Sequence, residues 1–156
     1  MSRAFVREDD GTNDIGELPD KLISEHRNLV TSYGLALIDA EVERLNTVLA
    51  VARADNDRGA LAGAARELRY WTQRRLSAEV MPAPADAGTV QFGLRVVIQR
   101  ADGRRQTFRI VGEDEADPTL GTLSYVSPLA QALLGKSVGD EVLLGNAMIE
   151  IAAIEI

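Results

Sequence analysis

The sequence of 156 residues contains no cysteine and a single histidine, His26. Without cysteine the chain can form neither disulfide bonds nor metal sites that use thiolate ligands. One histidine in a polar stretch makes a His-rich metal site and a histidine-based catalytic triad untenable. We therefore expect no stably bound metal, no cofactor and no catalytic site that belongs to this chain alone.

Aromatic residues are also scarce, with three Phe, three Tyr and one Trp in a chain that is 46% hydrophobic. The core must therefore rest on Leu, Ile, Val and Ala. No apolar run approaches the roughly 18 residues that a membrane-spanning helix needs. The first residues lead into acids rather than into the apolar stretch of a signal peptide. These features predict a soluble, cytoplasmic protein without a membrane partner.

Charge is unevenly distributed along the chain. The formal net charge of −7 argues against a general nucleic-acid binder. Residues 1–20 contain six acids and two arginines, and we predict that residues 1–28 form an acidic N-terminal arm. Residues 58–78 have the opposite balance, with five arginines and one acid, Glu67. An acidic protein with one basic segment is therefore expected.

Two helices are predicted after the arm. Thr31 is suited to cap the first helix, in which apolar residues recur at helical spacing. These residues are Leu35, Ile38, Val42, Leu45, Leu49 and Ala52. The polar residues 53–59 predict a turn, with Gly59 supplying a positive φ. A second helix over about residues 60–78 then completes an antiparallel coiled-coil hairpin within residues 29–80.

The hydrophobic period changes from helical to alternating after residues 81–88, a linker that contains Pro82, Pro84 and Gly88. Six strands are predicted, at residues 89–92, 94–100, 105–111, 120–125, 141–144 and 147–154. Asp102-Gly103 is a hairpin turn signal, and Ser127 followed by Pro128 predicts the start of a short helix. The fold class predicted for residues 89–156 is α+β.

The run from Ile110 to Asp117, I-V-G-E-D-E-A-D, is followed by S-P-L-A-x-A-L-L-G-K from Ser127 and by Gly139-Asp140. This order resembles the C-terminal domain of the bacterial Gre transcript-cleavage factors. Thr31-x-x-Gly34 also resembles the start of the first Gre helix. The resemblance implies an FKBP-like C-terminal domain that binds RNA polymerase, and a hairpin that enters the secondary channel of that enzyme.

The same resemblance assigns roles to particular residues. Gre factors are accessory proteins, and hydrolysis of the transcript is performed by the polymerase active centre with its Mg²⁺. Acids at the hairpin tip help to hold that Mg²⁺, and the tip candidates here are Asp55 and Asp57. The surface implied to bind polymerase comprises Glu113, Asp114, Glu115, Asp117, Ser127 and Pro128.

The tip departs from the family pattern, because the Asp-x-x-Glu motif is missing. By this resemblance each arm is about ten residues shorter than in the Gre hairpin, which removes about 15 Å of reach. Three interpretations of Asp55 and Asp57 stay open. They are solvated turn residues that cap the second helix, they position the metal in a modified way, or they belong to a tip that blocks the channel without promoting cleavage.

The basic helix has two interpretations as well. Four arginines, Arg66, Arg69, Arg74 and Arg75, are predicted to form a positive patch. By resemblance such a patch faces the 3′ end of the nascent RNA. Alternatively, the arginines lie on a solvated face and pair with Glu41 and Glu43 of the first helix.

The leading hypothesis is an elongation factor that binds RNA polymerase as a monomer and promotes transcript cleavage in backtracked complexes. The alternative is a short-armed regulator of the channel that antagonises cleavage factors. A peptidyl-prolyl isomerase is a remote alternative suggested by fold type alone. Such an enzyme needs an aromatic-lined pocket, and the C-terminal domain offers only Phe92, Phe108 and Tyr125.

Overall fold

A pair of helices followed by a five-stranded sheet makes up residues 18–156, which are the residues that this computed structural model describes. The predicted α+β class is confirmed. Residues 1–17, which include most of the predicted acidic arm, lie outside the described residues. Within the described residues, no helix combines the length and the apolarity that spanning a bilayer requires.

The helical hairpin consists of α1, Ser32–Ala54, and α2, Arg58–Ser77. Thr31 caps α1 as predicted, and its hydroxyl accepts a hydrogen bond of 2.9 Å from the Gly34 N–H. The predicted apolar positions of α1 face α2: Ile38, Leu45 and Ala52 are buried, and the other three are half-buried. This burial is why a short helix pair is stable in water.

The turn at the hairpin tip differs from the prediction. Gly59 lies inside α2, which begins at Arg58 because the carboxylate of Asp57 caps it. The positive φ, 53°, belongs to Asn56 instead. Asn tolerates this conformation better than most residues with a side chain. The turn therefore spans only residues 55–57, instead of the predicted residues 53–59.

Two very short strands close the base of the hairpin. β1, Leu29–Val30, pairs in parallel with β2, Glu79–Val80. These strands were not predicted, because two residues give no periodic signal. They bring the chain that enters α1 beside the chain that leaves α2.

The sheet domain, residues 89–156, contains β3 Arg95–Arg100, β4 Arg105–Val111, β5 Thr122–Ser124, β6 Glu141–Leu144 and β7 Ala147–Glu155. The strand order is β5-β4-β3-β7-β6. All neighbours are antiparallel except β4 and β5, which are parallel and are joined through a 3₁₀ turn at Pro118–Leu120. The predicted Asp102-Gly103 turn joins β3 to β4, with Gly103 at φ 84°.

The core of the sheet domain lies between the sheet and α3, Pro128–Leu133. Ser127 caps α3 and Pro128 begins it, as predicted. Ala130 and Leu133 of α3 are fully buried against a cluster on the sheet that includes Val96, Ile98, Ile110, Ile149 and Ile151.

The strand predicted at residues 89–92 is wrong. Val90 instead exchanges backbone hydrogen bonds with the end of α3, donating to the Lys136 carbonyl at 2.8 Å and accepting from Gly135 at 2.9 Å. The alternation of polar and apolar residues over residues 89–92 reflects the burial of Val90 beside the end of α3. The connection between the hairpin and the sheet therefore runs over residues 81–94 without a helix or strand.

Candidate functional site

The loop between β4 and β5 contains the predicted acidic cluster, and we call residues 113–117 the acidic loop. Glu113, Asp114 and Glu115 are not free on the surface, because each of them contacts the base of the hairpin. We call this set of contacts the joint. It brings together residues that are far apart in the sequence.

Arg74 of α2 is the centre of the joint and is only 1% exposed. Its Nε donates to Oδ2 of Asp114 at 2.5 Å, and its Nη2 donates to Oδ1 of Asn28 at 2.7 Å. The same Nη2 lies 3.5 Å from Oε2 of Glu113. Since a buried guanidinium is costly unless it is paired and hydrogen-bonded, these partners explain how Arg74 can be buried.

Asn28 and Tyr70 complete this side of the joint. The Asn28 amide donates back to the Arg74 carbonyl at 2.7 Å, so these two residues bind each other twice. The Tyr70 hydroxyl donates to Oδ1 of Asp114 at 2.6 Å. Burial, reinforced by this hydrogen bond to a carboxylate, raises the pKa of Tyr70 well above its ordinary value.

The other side of the joint lies at the start of α1. The Thr31 hydroxyl donates to Oε2 of Glu115 at 2.6 Å while it also caps α1. Two glycines make room for the loop: a Cβ at Gly34 would lie 2.5 Å from the same Glu115 oxygen, and a Cβ at Gly112 would lie 2.3 Å from the Leu29 carbonyl oxygen. The close approach therefore requires glycine at Gly112, where the obstacle is backbone, whereas a side chain at Gly34 would displace the Glu115 carboxylate.

The predicted basic patch is wrong at Arg74, which is buried in the joint rather than directed to solvent. Arg66, Arg69 and Arg75 are half-buried or exposed. The Nε of Arg69 lies 2.5 Å from Oδ1 of Asp20, and Arg75 pairs with Asp39 of α1.

The partners predicted for these arginines on α1 are also wrong. Glu41 binds Arg44 one turn along its own helix, and Glu43 makes no ion pair within residues 18–156. Asp39 is the acid of α1 that contacts α2. Residues three and four apart on a helix meet more readily than residues on neighbouring helices, which explains the Glu41 pairing.

The last part of the predicted arm is packed against the hairpin. Lys21 pairs with Glu67 at 2.9 Å, and its ammonium nitrogen lies 4.6 Å from the centre of the Tyr70 ring. Asn28 is 4% exposed inside the joint. Residues 20–28 of the predicted arm therefore pack against the hairpin, and the boundary at residue 28 stays a prediction.

The two tip aspartates have different surroundings. The Asp57 carboxylate accepts a hydrogen bond of 3.0 Å from the Ala60 N–H and caps α2, which agrees with the capping interpretation. Asp55 is exposed at the end of α1. In the described part of the chain, no group of three or more acidic or histidine side chains is arranged to hold a metal.

The remaining site candidates have local structural roles. Asp117 accepts hydrogen bonds from the Thr119 N–H at 2.9 Å and hydroxyl at 2.6 Å, which lower the pKa of its carboxyl. Ser127 caps α3 through a bond of 3.3 Å from the Ala130 N–H, and Pro128 is exposed. A binding role for these residues stays a prediction.

The three aromatic residues considered for an isomerase pocket pack against the sheet core. The Phe92 and Tyr125 rings meet edge to face, with centres 5.8 Å apart. Phe92 also lines a cavity of about 230 Å³ beside the linker, together with Tyr33 and Pro84. The Tyr125 hydroxyl donates to the Arg27 carbonyl, so this aromatic side chain also ties the sheet domain to the hairpin.

Comparison with known proteins identifies relatives by sequence. The family model described as transcription elongation factor, GreA/GreB, C-terminal, matches residues 85–155. GreA from Hyphomonas neptunium is 36% identical over 132 residues, which cover 72% of this chain and 84% of that protein. GreB from Neisseria meningitidis serogroup A is 41% identical over 96 residues, covering 58% of this chain and 59% of that protein. The chain thus spans less than two thirds of this GreB.

Among solved structures, GreA factor homolog 1 (Gfh1) of Thermus thermophilus matches 84% of this chain and 100% of its own at 21% identity. The TM-score of this match is 0.41. The family assignment depends on the sequence matches, above all on the one that covers most of a GreA protein. The chain belongs to the GreA/GreB family of transcription elongation factors.

Proposed function

We propose that this protein is an accessory factor of bacterial RNA polymerase that binds at the secondary channel. In this proposal the hairpin, a short coiled coil, enters the channel, and the FKBP-like sheet domain binds at its entrance. Family membership supports the proposal. So does the architecture, because within residues 18–156 the hairpin contacts the acidic loop of the sheet domain through residues at its base. The protein would act in the cytoplasm as a monomer.

We further propose that the protein occupies the channel without promoting cleavage and thereby antagonises cleavage factors. The observation that carries this outcome is the use of the Asp57 carboxylate as the cap of α2. The capping hydrogen bond occupies Oδ1 of Asp57, so Asp55 and one oxygen of Asp57 are left to face a metal, whereas two-metal hydrolysis depends on several well-placed oxygen ligands. With 23 residues, α1 is also only about 35 Å long.

Promotion of transcript cleavage remains the second candidate, and one observation favours it. Asp55 is exposed at the tip, where a carboxylate can approach a hydrated Mg²⁺ without losing a structural bond. The polymerase active centre, with its own Mg²⁺, would perform the hydrolysis. This protein would contribute one ligand or one hydrogen bond to water.

The surface for polymerase must be revised in light of the joint. Glu113, Asp114 and Glu115 bind the hairpin, so they are poor candidates for direct contact with a partner. We propose that Pro128 and the 3₁₀ turn at Pro118–Leu120 make this contact. Leu120 is 79% exposed there, and exposed leucines are suited to an apolar interface.

A contact with the 3′ end of the nascent RNA is proposed only for the arginines that reach solvent. Arg75 is exposed, and Arg66 and Arg69 are half-buried. The pairs that Arg69 and Arg75 make with acids at the surface are weak and exchangeable, so a phosphate can replace the acid. Arg74 has no part in this contact.

The test uses backtracked elongation complexes of the cognate polymerase with end-labelled RNA. We expect the protein to bind, to leave the transcript intact and to slow cleavage by an added GreA. Shortening of the transcript by this protein, lost in Asp55→Ala but kept in Asp39→Ala, would instead establish the cleavage-promoting role. Absence of binding would reject both outcomes.

A further inference from the structure

We infer that Arg74 and Asp114 are positioning residues, which hold the hairpin in one direction relative to the sheet domain. The inference concerns the protein alone, and its consequence for transcription depends on the function proposed above. A positioning role explains why α2 buries Arg74 against the acidic loop.

The covalent connection does not fix this direction. In the described chain, the hairpin is linked to the sheet domain through residues 81–94 alone, which contain neither helix nor strand. One such connection leaves the hairpin free to tilt and rotate about its base. The direction of the hairpin therefore depends on noncovalent contacts.

Those contacts hold both helices through one loop. Glu113 and Asp114 bind Arg74 in α2, and the next residue, Glu115, binds Thr31 at the start of α1. Since the two helices are held from neighbouring residues of the same loop, the hairpin cannot swing about either helix without breaking the contact to the other.

The ion pair of Arg74 and Asp114 restricts the orientation of α2 because its hydrogen bonds have fixed angles. The planar guanidinium presents its donors at fixed angles, and here Nε and Nη2 are each hydrogen-bonded, to Asp114 and to Asn28. The side chains of Arg74 and Asp114 are 2% and 10% exposed, so water cannot replace a lost partner. A tilt of the hairpin would leave a buried charge unpaired. Because this is costly, orientations of the hairpin other than the observed one are disfavoured.

The direction of the hairpin matters because a small tilt at its base produces a large displacement of its tip. With α1 about 35 Å long, a tilt of about 10° at the base displaces the tip by about 6 Å. Such a displacement exceeds the reach of a hydrogen bond. The joint therefore decides where Asp55 lies when the sheet domain is bound.

The absence of cysteine allows a direct test by spin labelling. Labels are attached to Ala50→Cys in α1 and Glu141→Cys in β6, both at exposed positions, and the distance between them is measured by double electron–electron resonance. We expect one narrow distance in this background. We expect a broad distribution when Asp114→Asn or Arg74→Lys is added, and a narrow one with the control Arg75→Gln.

Circular dichroism verifies that each variant retains its helices. Narrow, unchanged distances in folded Asp114→Asn and Arg74→Lys would overturn the inference. So would complete unfolding of both variants at low temperature, because the pair would then be required for folding rather than for direction.

A second readout separates the joint from the proposed function. In backtracked complexes, we expect Asp114→Asn to retain polymerase binding through the sheet domain and to lose its maximal effect on the transcript. A loss of binding without a loss of maximal effect would contradict a positioning role. If the unaltered protein has no effect on polymerase, the proposed function fails, while the distance measurement still decides the inference.

Discussion

The Nε of Arg74 lies 2.5 Å from Oδ2 of Asp114, an ion pair that joins α2 to the loop after β4 across 40 residues of sequence. Its surroundings distinguish it from the other ion pairs of the described chain. Arg75, the next residue, pairs with Asp39 where both side chains are 48% exposed. Two adjacent arginines thus provide a buried pair and an exposed pair for direct comparison.

We predict that Asp114→Ala lowers the free energy of unfolding by about 3–5 kcal/mol, because it leaves the buried guanidinium without its main partner. The matched change Asp39→Ala should cost less than about 1 kcal/mol, because water solvates the exposed Arg75. Urea denaturation followed by circular dichroism measures both. Equal costs for the two variants would mean that Arg74 is not buried as the structure places it.

We predict that the raised pKa of Tyr70 makes the protein less stable at alkaline pH. Its pKa is raised in the folded protein by burial and by Asp114, relative to an ordinary value of 10.0. Above that ordinary value the unfolded chain loses the proton while the folded chain keeps it. The free energy of unfolding therefore falls as the pH rises from about 9 through 11 and beyond.

Tyr70→Phe tests this dependence because it removes the titrating group and little else. At pH 8 it should cost about 1.5–3 kcal/mol, the value of a hydrogen bond to a charged acceptor. As the pH rises above 10 the difference between the two proteins should shrink. Parallel curves of stability against pH for Tyr70→Phe and the unaltered protein would show that Tyr70 does not titrate as expected.

We predict that alanine substitutions at three glycines change the stability by graded amounts. Gly112→Ala should be the most destabilising, because the new Cβ would lie 2.3 Å from the Leu29 carbonyl oxygen and the backbone must move. Gly34→Ala meets the Glu115 carboxylate, which can rotate away at the expense of its bond to Thr31. Gly63 has open space and lies inside α2, so Gly63→Ala should stabilise by up to about 1 kcal/mol.

Thermal unfolding measures this series. The expected order of melting temperature is Gly63→Ala above the unaltered protein, then Gly34→Ala, then Gly112→Ala. A Gly112→Ala variant as stable as the unaltered protein would contradict the close packing of Gly112 against Leu29 in β1.

Local signals predicted most of the elements correctly. The Thr31 cap and the spacing of apolar residues gave the start and the buried face of α1. The alternation over residues 105–111 gave the bounds of β4, and Ser127-Pro128 gave the start of α3. In each case, the physical cause of the element lies within a few residues of sequence, where a single sequence displays it.

The joint could not be predicted in this way, because its partners are separated in sequence. Arg74 lies among arginines on a polar face, and nothing local marks it as buried while Arg75 is exposed. The acidic loop matched a family motif, which suggested a partner outside the chain although the partner of Asp114 is within it. One weak signal was present: Tyr70 and Arg74 are four residues apart and share a helix face.

The tip aspartates give a final prediction that separates helix capping from metal chemistry. Asp57→Asn keeps a side chain that caps helices as well as Asp does and removes the charge, whereas Asp57→Ala removes both. Asp57→Ala should therefore cost about 1 kcal/mol of stability and Asp57→Asn almost nothing. If Asp57 acts only as a cap, Asp57→Asn should affect backtracked complexes as the unaltered protein does. A folded Asp57→Asn protein that alters transcript cleavage would show that the Asp57 charge contributes to the polymerase active centre.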